Sequence, residues 1–367
     1  MLQRPTRLEI NLSTLVNNYQ IICRHVYPRP VMAVLKANAY GHGLISVAKA
    51  LVERTNCQHI AVAYLDEALL LRNAGIKASI LVLGGIVGVR VPLFIEHDIS
   101  ITASSVEKLN IISEHAQRMN KKALVHLKID TGMERIGVHH YSSSALFTTA
   151  QNAPMIQLEG VFSHFSHADG PYQNKTMEQL NSFLNTLPKQ QDLGMLHIAN
   201  SGATLQYPAT WLDMIRVGIS MYGLSPGPEV SLLKGLKPAM RWVSQIVFFK
   251  VIPKGATVSY GGTWTAPRQT RIVTIPVGYG DGYQRRMSGQ AEVLIRGKRY
   301  PVVGSICMDQ MMVDIGWDEA YNGEEVVLLG EQGEEMISVS EHAQWAGTIN
   351  YEIICAINNR VPRIPLS

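Results

Sequence analysis

Apolar residues in the first two-thirds of the chain fall into eight short runs: Val31–Leu35, Ile60–Ala63, Ile80–Leu83, Ile99–Thr102, Leu124–Ile129, Leu158–Phe162, Leu196–Ala199 and Met214–Val217. Longer stretches lie between them, among them Leu44–Glu53, Asp66–Asn73, Val106–Met119, Ser143–Gln151 and Thr176–Leu187, several with apolar residues at helical spacing. Strand alternating with helix favours a parallel sheet, and eight repeats favour a (β/α)8 TIM-type barrel. A doubly wound sheet is the competing architecture. It calls for a glycine-rich phosphate turn after the first strand, and no G-x-G-x-x-G stands there. Beyond about residue 235 the rhythm changes. Strand-like runs follow one another at Ser244–Ile252, Thr270–Val277, Ala291–Ile295, Tyr300–Val303, Met311–Ile315 and Glu325–Leu329, with turns such as Arg296-Gly297-Lys298 between them. The expected organisation is a barrel over residues 1–235 and a mainly-β domain over residues 236–367, with one late helix near Val339–Ala346.

Composition narrows the function class. Hydrophobic residues make up 46% and charged residues 17% of the chain, as in an ordinary globular enzyme. The net charge is only +4, and the pairs Arg285-Arg286 and Lys121-Lys122 are too short to form a nucleic-acid surface. The longest apolar run, near Ile80–Val89, is too short to span a bilayer. Met1 to Arg7 carries charge with no apolar stretch after it, so no secretory leader is expected. Cys23, Cys57, Cys307 and Cys355 are far apart and form no C-x-x-C, so neither a disulfide framework nor a metal site is indicated. The expectation is a cytoplasmic enzyme with no membrane or nucleic-acid partner.

Barrel active sites lie at the C-terminal ends of the strands. Read that way, the runs deliver Lys36 and Tyr40; Lys128, Asp130 and Arg135; Ser163, His164 and His167; His197, Asn200 and Ser201; and Arg216, Gly218 and Ile219. A lysine ending a buried strand either snorkels to water or becomes neutral, the state needed for Schiff-base chemistry. The gathering of polar residues at several strand ends favours the second reading. Asn200-Ser201-Gly202 and Gly218-Ile219-Ser220 follow the seventh and eighth runs, where barrels commonly bind phosphate. A lysine, phosphate loops and a stackable histidine together suggest pyridoxal 5'-phosphate.

The motifs Ala33-Val-Leu-Lys-Ala-Asn-Ala-Tyr-Gly-His-Gly43, Lys128-Ile-Asp-Thr-Gly-Met133, His197-Ile-Ala-Asn-Ser201, Arg216-Val-Gly-Ile219, Val258-Ser-Tyr-Gly261, Gly278-Tyr-Gly-Asp-Gly282, Cys307-Met-Asp-Gln310 and Asn350-Tyr-Glu352 resemble those of alanine racemases, fold-type III pyridoxal-phosphate enzymes, in their family order. The resemblance implies a homodimer with shared active sites that racemises alanine, supplying D-alanine for peptidoglycan. It implies that Lys36 anchors the cofactor and serves one face of the substrate Cα, while Tyr260 of the second subunit serves the other. It places Arg216 at the pyridine nitrogen with His197 behind it, and His164 against the cofactor ring. Tyr40, Asn200, Ser201, Gly218, Ile219 and Tyr351 fall to cofactor binding, most of them at the phosphate. Arg135 and the Met308 N–H fall to the substrate carboxylate. Tyr279, with Tyr351, would narrow the entrance, with Asp309 in support. Lys128 is similar to a position often N-carbamylated in this family. The sequence departs from the family at Ser305, where arginine is common, at Val217, where proline is frequent, and at Glu134. A broader amino-acid or serine racemase, or a non-catalytic pyridoxal-phosphate-binding barrel protein, would share parts of this pattern.

Overall fold

The computed structural model describes residues 4–367. The chain forms two compact units, one spanning Val16–Leu236 and the other joining the chain up to Leu15 to Lys237–Ser367.

In the first unit the strands are Val31–Val34, His59–Val62, Ser79–Val82, Ser100–Ala103, Ala123–Asp130, Ile156–Phe162, Met195–His197 and Ile215–Val217. They pair in parallel in that order, and the eighth returns to the first with Ile215 opposite Val31. The seventh and eighth are joined by single bonds, Asp213 N–H to Leu196 O at 3.1 Å and Arg216 N–H to Ala199 O at 3.0 Å, so the barrel is nearly closed. Helices cover one face of each strand and barrel side chains the other, which explains the continuous apolar runs. Ile60, Ala61, Ile80, Leu81 and Ile101 are wholly buried. The helices Leu44–Arg54, Leu65–Asn73, Val106–Met119, Ser144–Gln151 and Gln173–Thr186 fall within a residue or a turn of the expected stretches. An unanticipated helix, Leu12–Val26, runs ahead of the first barrel strand and buries Leu15, Tyr19 and Ile22.

The second unit is built on one large sheet. Its order is Phe248–Ile252, Thr270–Ile275, Met311–Asp314, Lys298–Val303, Glu292–Ile295, Glu325–Gln332, Met240–Gln245, Arg7–Asn11 and Arg363–Leu366. The strand Arg7–Asn11 pairs antiparallel with Met240–Gln245 and parallel with Arg363–Leu366. Those ladders give it to the second unit, although the hydrophobic pattern alone carries it with the barrel span 1–235. The run Ser244–Ile252 is two strands rather than one, broken at Ile246-Val247. Arg296 and Gly297, both at positive φ, turn the hairpin between Glu292–Ile295 and Lys298–Val303, as the twist of two-residue hairpins demands. The late helix Val339–Ala346 has the expected bounds, with a Ser338–Glu341 capping box and a stop at Gly347. A second helix, Asn350–Ala356, follows it. At two turns it is too short to show a period in the sequence.

Leu8 is completely buried in the middle strand of that terminal trio. Leu8→Ala is expected to destabilise the protein by about 3 kcal/mol, read as a lowered midpoint in chemical denaturation. A midpoint equal to wild type would show that the strand contributes little to the sheet.

Candidate active site

The C-terminal mouth of the barrel is organised around a buried arginine. Arg216, on the eighth strand, is 4% exposed and makes no salt bridge among the described residues. Its Nη1 donates to His197 Nδ1 at 2.8 Å, and its Nη2 to the carbonyls of Ser163 at 2.8 Å and Ile198 at 3.1 Å, with His164 Nδ1 at 3.3 Å. None of these bonds uses Nε. Burial lowers the guanidinium to about 9, so it still carries its proton near neutrality. Because His197 Nδ1 accepts from Arg216, its proton belongs on Nε2, which faces His126 Nδ1 at 3.0 Å. His126 Nε2 then points at the Glu159 carboxylate, 3.7 Å away, which takes the Ser100 hydroxyl at 2.5 Å. The ring of His197 stacks on Phe162 at 5.0 Å. Gly160 is required here, since a Cβ would stand 2.7 Å from His126 Nδ1 and 2.5 Å from Met195 O. The strand-end pattern in the sequence does not single out His126 or Glu159. Their signal was a pair of polar residues inside otherwise apolar strands.

His164 lies in basic surroundings. Desolvation, then Arg216, Lys128, Arg135 and Lys36, press its pKa well below the ordinary value, so it is neutral beside the Arg216 guanidinium. Lys128 is 3% exposed and donates to Ile129 O at 2.9 Å. Burial, Arg216 and Arg135 bring its amine down to about 7 against the pull of Asp130. The buried acid at this strand end does not neutralise the group. Asp130 accepts from the backbone N–H of Gly132, Met133, Glu134 and Arg135. Those bonds and Lys128 overcome the cost of burial and hold its carboxyl below the usual range. His167 stands apart from this network, bonded to Ser166 Oγ at 2.6 Å.

Lys36 follows the first strand and opens a turn of the wrong hand. Ala37, Asn38, Ala39 and Tyr40 have φ of 53°, 56°, 54° and 51°. A left-handed turn of L-residues costs about 1–2 kcal/mol per residue and persists only where its surroundings fix it. Several bonds do so here: Ala39 N–H to Leu35 O at 2.7 Å, Gly41 N–H to Ala37 O at 2.9 Å, and Leu44 N–H to the Asn38 side chain at 2.8 Å. The turn carries Tyr40 to the end of the eighth strand, where a Cβ on Gly218 would stand 2.3 Å from the Tyr40 hydroxyl. Gly218 N–H donates to Ser201 Oγ at 3.0 Å, and Asn200 caps the short helix that Ser201 begins. Ile219 follows, fully buried. Every expected barrel residue is thus at this mouth, on the ends of the first, fifth, sixth, seventh and eighth strands or in the loops after them.

The remaining expected residues belong to the second unit, and most share one loop cluster. Tyr260, Tyr279 and Met308 are 73%, 43% and 53% exposed. Tyr279 N–H donates to Cys307 O at 3.0 Å, Gly280 N–H to Met308 O at 2.9 Å, and Ser305 Oγ to Tyr260 O at 3.0 Å. Arg360 braces the cluster by bonding Asp309 at 2.6 Å and the buried Asp281 at 2.7 Å. Asn358 N–H, just beyond the helix that carries Tyr351, bonds Asp281 O at 2.9 Å. Ser259, which precedes Tyr260, has φ 64° and ψ −175°. That region is nearly reserved for glycine and costs about 1–3 kcal/mol. Ser305, at the position where arginine is common in the family, is 5% exposed and faces the Tyr260 backbone.

Comparison with known proteins agrees over both units. Residues 10–226 match the alanine racemase N-terminal domain and residues 239–365 the alanine racemase C-terminal domain. Alanine racemase 2 of Caldanaerobacter subterraneus is 42% identical, covering 98% of this chain and 95% of that one. The alanine racemase of Bacillus anthracis, solved with bound L-Ala-P, aligns with a TM-score of 0.93 at 38% identity over 100% of this chain and 96% of its own. That of a D-cycloserine-producing Streptomyces lavendulae aligns at 0.96 and 35% identity over 100% and 98%.

Lys128 gives a pH signature. Its amine falls from an ordinary 10.5 to about 7 in the fold. Between those values the unfolded chain holds a proton that the folded chain does not, so Lys128 makes stability rise with pH across that window. In carbon-dioxide-free buffer, the ligand-free protein is expected to gain stability relative to Lys128→Met from pH 7 to 9, by at most about 1.4 kcal/mol per pH unit. Denaturation midpoints that run parallel for the two proteins would refute it.

Proposed function

The chain belongs to the alanine racemase family, and on that premise we propose that it interconverts L- and D-alanine with pyridoxal 5'-phosphate, as a homodimer whose second subunit contributes Tyr260. The observation that carries the reading is the basic mouth of the barrel: Lys36, Lys128, Arg135 and Arg216 stand at strand ends or in the loops after them, Arg216 3.3 Å from His164, while Asp130 is spent on its own loop. Such a cluster calls for a ligand bearing more than one anionic group, and a phosphorylated cofactor together with an amino-acid carboxylate meets that demand. The residues present fit the cofactor. Lys36 would hold it covalently, Arg216 would face its ring nitrogen, and His164 would pack against the ring. Tyr40, Ser201, the backbone at Gly218-Ile219 and Tyr351 would take the phosphate, with Asn200 holding the loop that presents Ser201.

When bound, pyridoxal 5'-phosphate supplies the electron sink that lets the Cα–H bond of alanine ionise. Arg216 limits that sink. A guanidinium donates and does not accept a proton, so Arg216 would disfavour protonation of the ring nitrogen it faces and would favour quick return of a proton to Cα, which suits racemisation over transamination. Lys36 Nζ and Tyr260 Oη would stand on opposite faces, one removing the Cα proton and the other delivering a proton to the far side. Arg135 and the Met308 N–H would hold the substrate carboxylate. Tyr279 and Tyr351 would restrict the entrance to a small side chain. A neutral Lys128 amine is the form that adds carbon dioxide, and the resulting carbamate would pair with Arg135 where two cations otherwise repel. The product would supply D-alanine for peptidoglycan in the cytoplasm. No helix among the described residues is long and apolar enough to cross a membrane.

Racemisation followed by circular dichroism tests the reading. Lys36→Ala is expected to abolish both activity and the visible absorbance of the bound cofactor. Tyr260→Phe is expected to lower kcat about 10²–10⁴-fold while leaving that absorbance in place. Full activity in Tyr260→Phe would overturn the two-base assignment. Electron density at Lys128 Nζ is expected to show an added carboxylate, and a bare ammonium would remove the carbamate from the scheme.

A further inference from the structure

Ser259 holds an unfavourable backbone conformation directly before Tyr260, and the bonds that hold it there involve two hydroxyls. Ser259 Oγ donates to Ser305 O at 2.5 Å and lies 3.4 Å from Cys307 Sγ. Ser305 Oγ returns a bond to Tyr260 O at 3.0 Å. The two serines thus reach across to each other's segments, one hydroxyl on each side of the Tyr260 peptide. Gly304, at φ +71°, lets the two segments approach, since a Cβ there would stand 2.5 Å from Val258 O and 3.0 Å from Ser259 Cβ. The far end of the same segment is pinned as well. Ile306 N–H donates to Ser288 Oγ at 3.0 Å, Cys307 N–H to Gln310 O at 2.9 Å, and Cys307 O receives Tyr279 N–H.

We infer that Ser259 and Ser305 form a reciprocal hydroxyl clasp that positions Tyr260 for proton transfer. This rests on the assignment of Tyr260 as one of the two acid/base groups. The side chain of Tyr260 is largely exposed within its own unit, so packing there does little to direct it. Its direction is set by the backbone that carries it, and the clasp is what keeps that backbone out of the relaxed extended region. Ser305 does this with a side chain that leaves no charge at the position, where an arginine would bring one. Neither serine touches the substrate in this scheme, so both are positioning residues.

The test uses the cofactor-loaded enzyme and the variants Ser305→Ala and Ser259→Ala. Each is expected to lower kcat about tenfold with KM nearly unchanged. The racemisation equilibrium constant is one, so kcat/KM falls equally in both directions. The α-deuterium isotope effect distinguishes the roles. It is expected to rise for the one enantiomer whose Cα proton Tyr260 removes and to fall for the other, whose proton goes to Lys36 and whose rate then depends more on reprotonation by Tyr260. A crystal structure of either variant is expected to show residue 259 relaxed from its positive φ and the Tyr260 ring displaced. Wild-type kcat and isotope effects in either variant would overturn the clasp. So would a fall in kcat with both isotope effects unchanged, which is the mark of a merely structural role. Should one variant fail to fold, the other decides. The two levels of the argument fail separately: an active Tyr260→Phe removes the tyrosine assignment, whereas an inactive Tyr260→Phe beside wild-type serine variants removes only the clasp.

Discussion

A guanidinium buried with no carboxylate is the constraint on which this barrel is built. Taking such a charge out of water is costly unless its donors are satisfied. Arg216 satisfies its terminal nitrogens with two main-chain carbonyls and two neutral imidazoles, one of each from the end of the sixth strand and one of each from the end of the seventh. The seventh and eighth strands share few bonds of their own, so this fan of donors also ties the barrel together at its least closed seam. The charge is relayed rather than cancelled. His197 and His126 align their dipoles toward Glu159, whose carboxylate lies at the far end of the line. The mouth keeps its positive potential while the interior holds a distant counter-charge.

Around that centre, each neighbour's state follows from position. His164 stays neutral because it is buried and then because cations stand near it, Lys128 is brought down toward neutrality by the same two causes, and Asp130 stays ionised because its loop surrounds it with amides. The left-handed turn after Lys36 belongs to the same economy of placement. A right-handed helix starting there would be easier to form. Only the reversed turn brings Tyr40 from the first strand back to Gly218 at the end of the eighth, and Gly218 has no Cβ to block it.

Much of this was readable in the residues. Apolar runs buried on both faces mark the parallel strands, and polar residues at their ends mark the mouth, because a barrel interior leaves no other place for Lys128 or Arg216. What the sequence hid depended on long-range pairing or on backbone conformation. The run Arg7–Asn11 reads like any short strand, and nothing local reveals that its partners lie at Met240–Gln245 and Arg363–Leu366. His126 and Glu159 gain meaning only when adjacent strands bring them into line behind His197. Ala37, Ala39 and Ser259 give no propensity signal for positive φ, and their conformations are fixed by the hydrogen bonds around them. Ser305 was visible as a departure from family pattern, yet its direction, inward to a main-chain carbonyl, required the fold.

The terminal trio of strands also sets a timetable. A chain leaves the ribosome from its N-terminus, and domains tend to fold as they emerge. The barrel unit is contiguous, so its eight strands can assemble as soon as Leu236 is clear. Arg7–Asn11 emerges before any of them, yet one of its two partner strands, Arg363–Leu366, follows every other strand of that sheet in the chain. Until then it has an open edge, and the sheet beside Tyr260 is incomplete. The lysine half of the proposed catalytic pair thus lies in a unit that is contiguous in the chain, whereas the tyrosine half lies in one whose sheet waits on strands far apart in sequence.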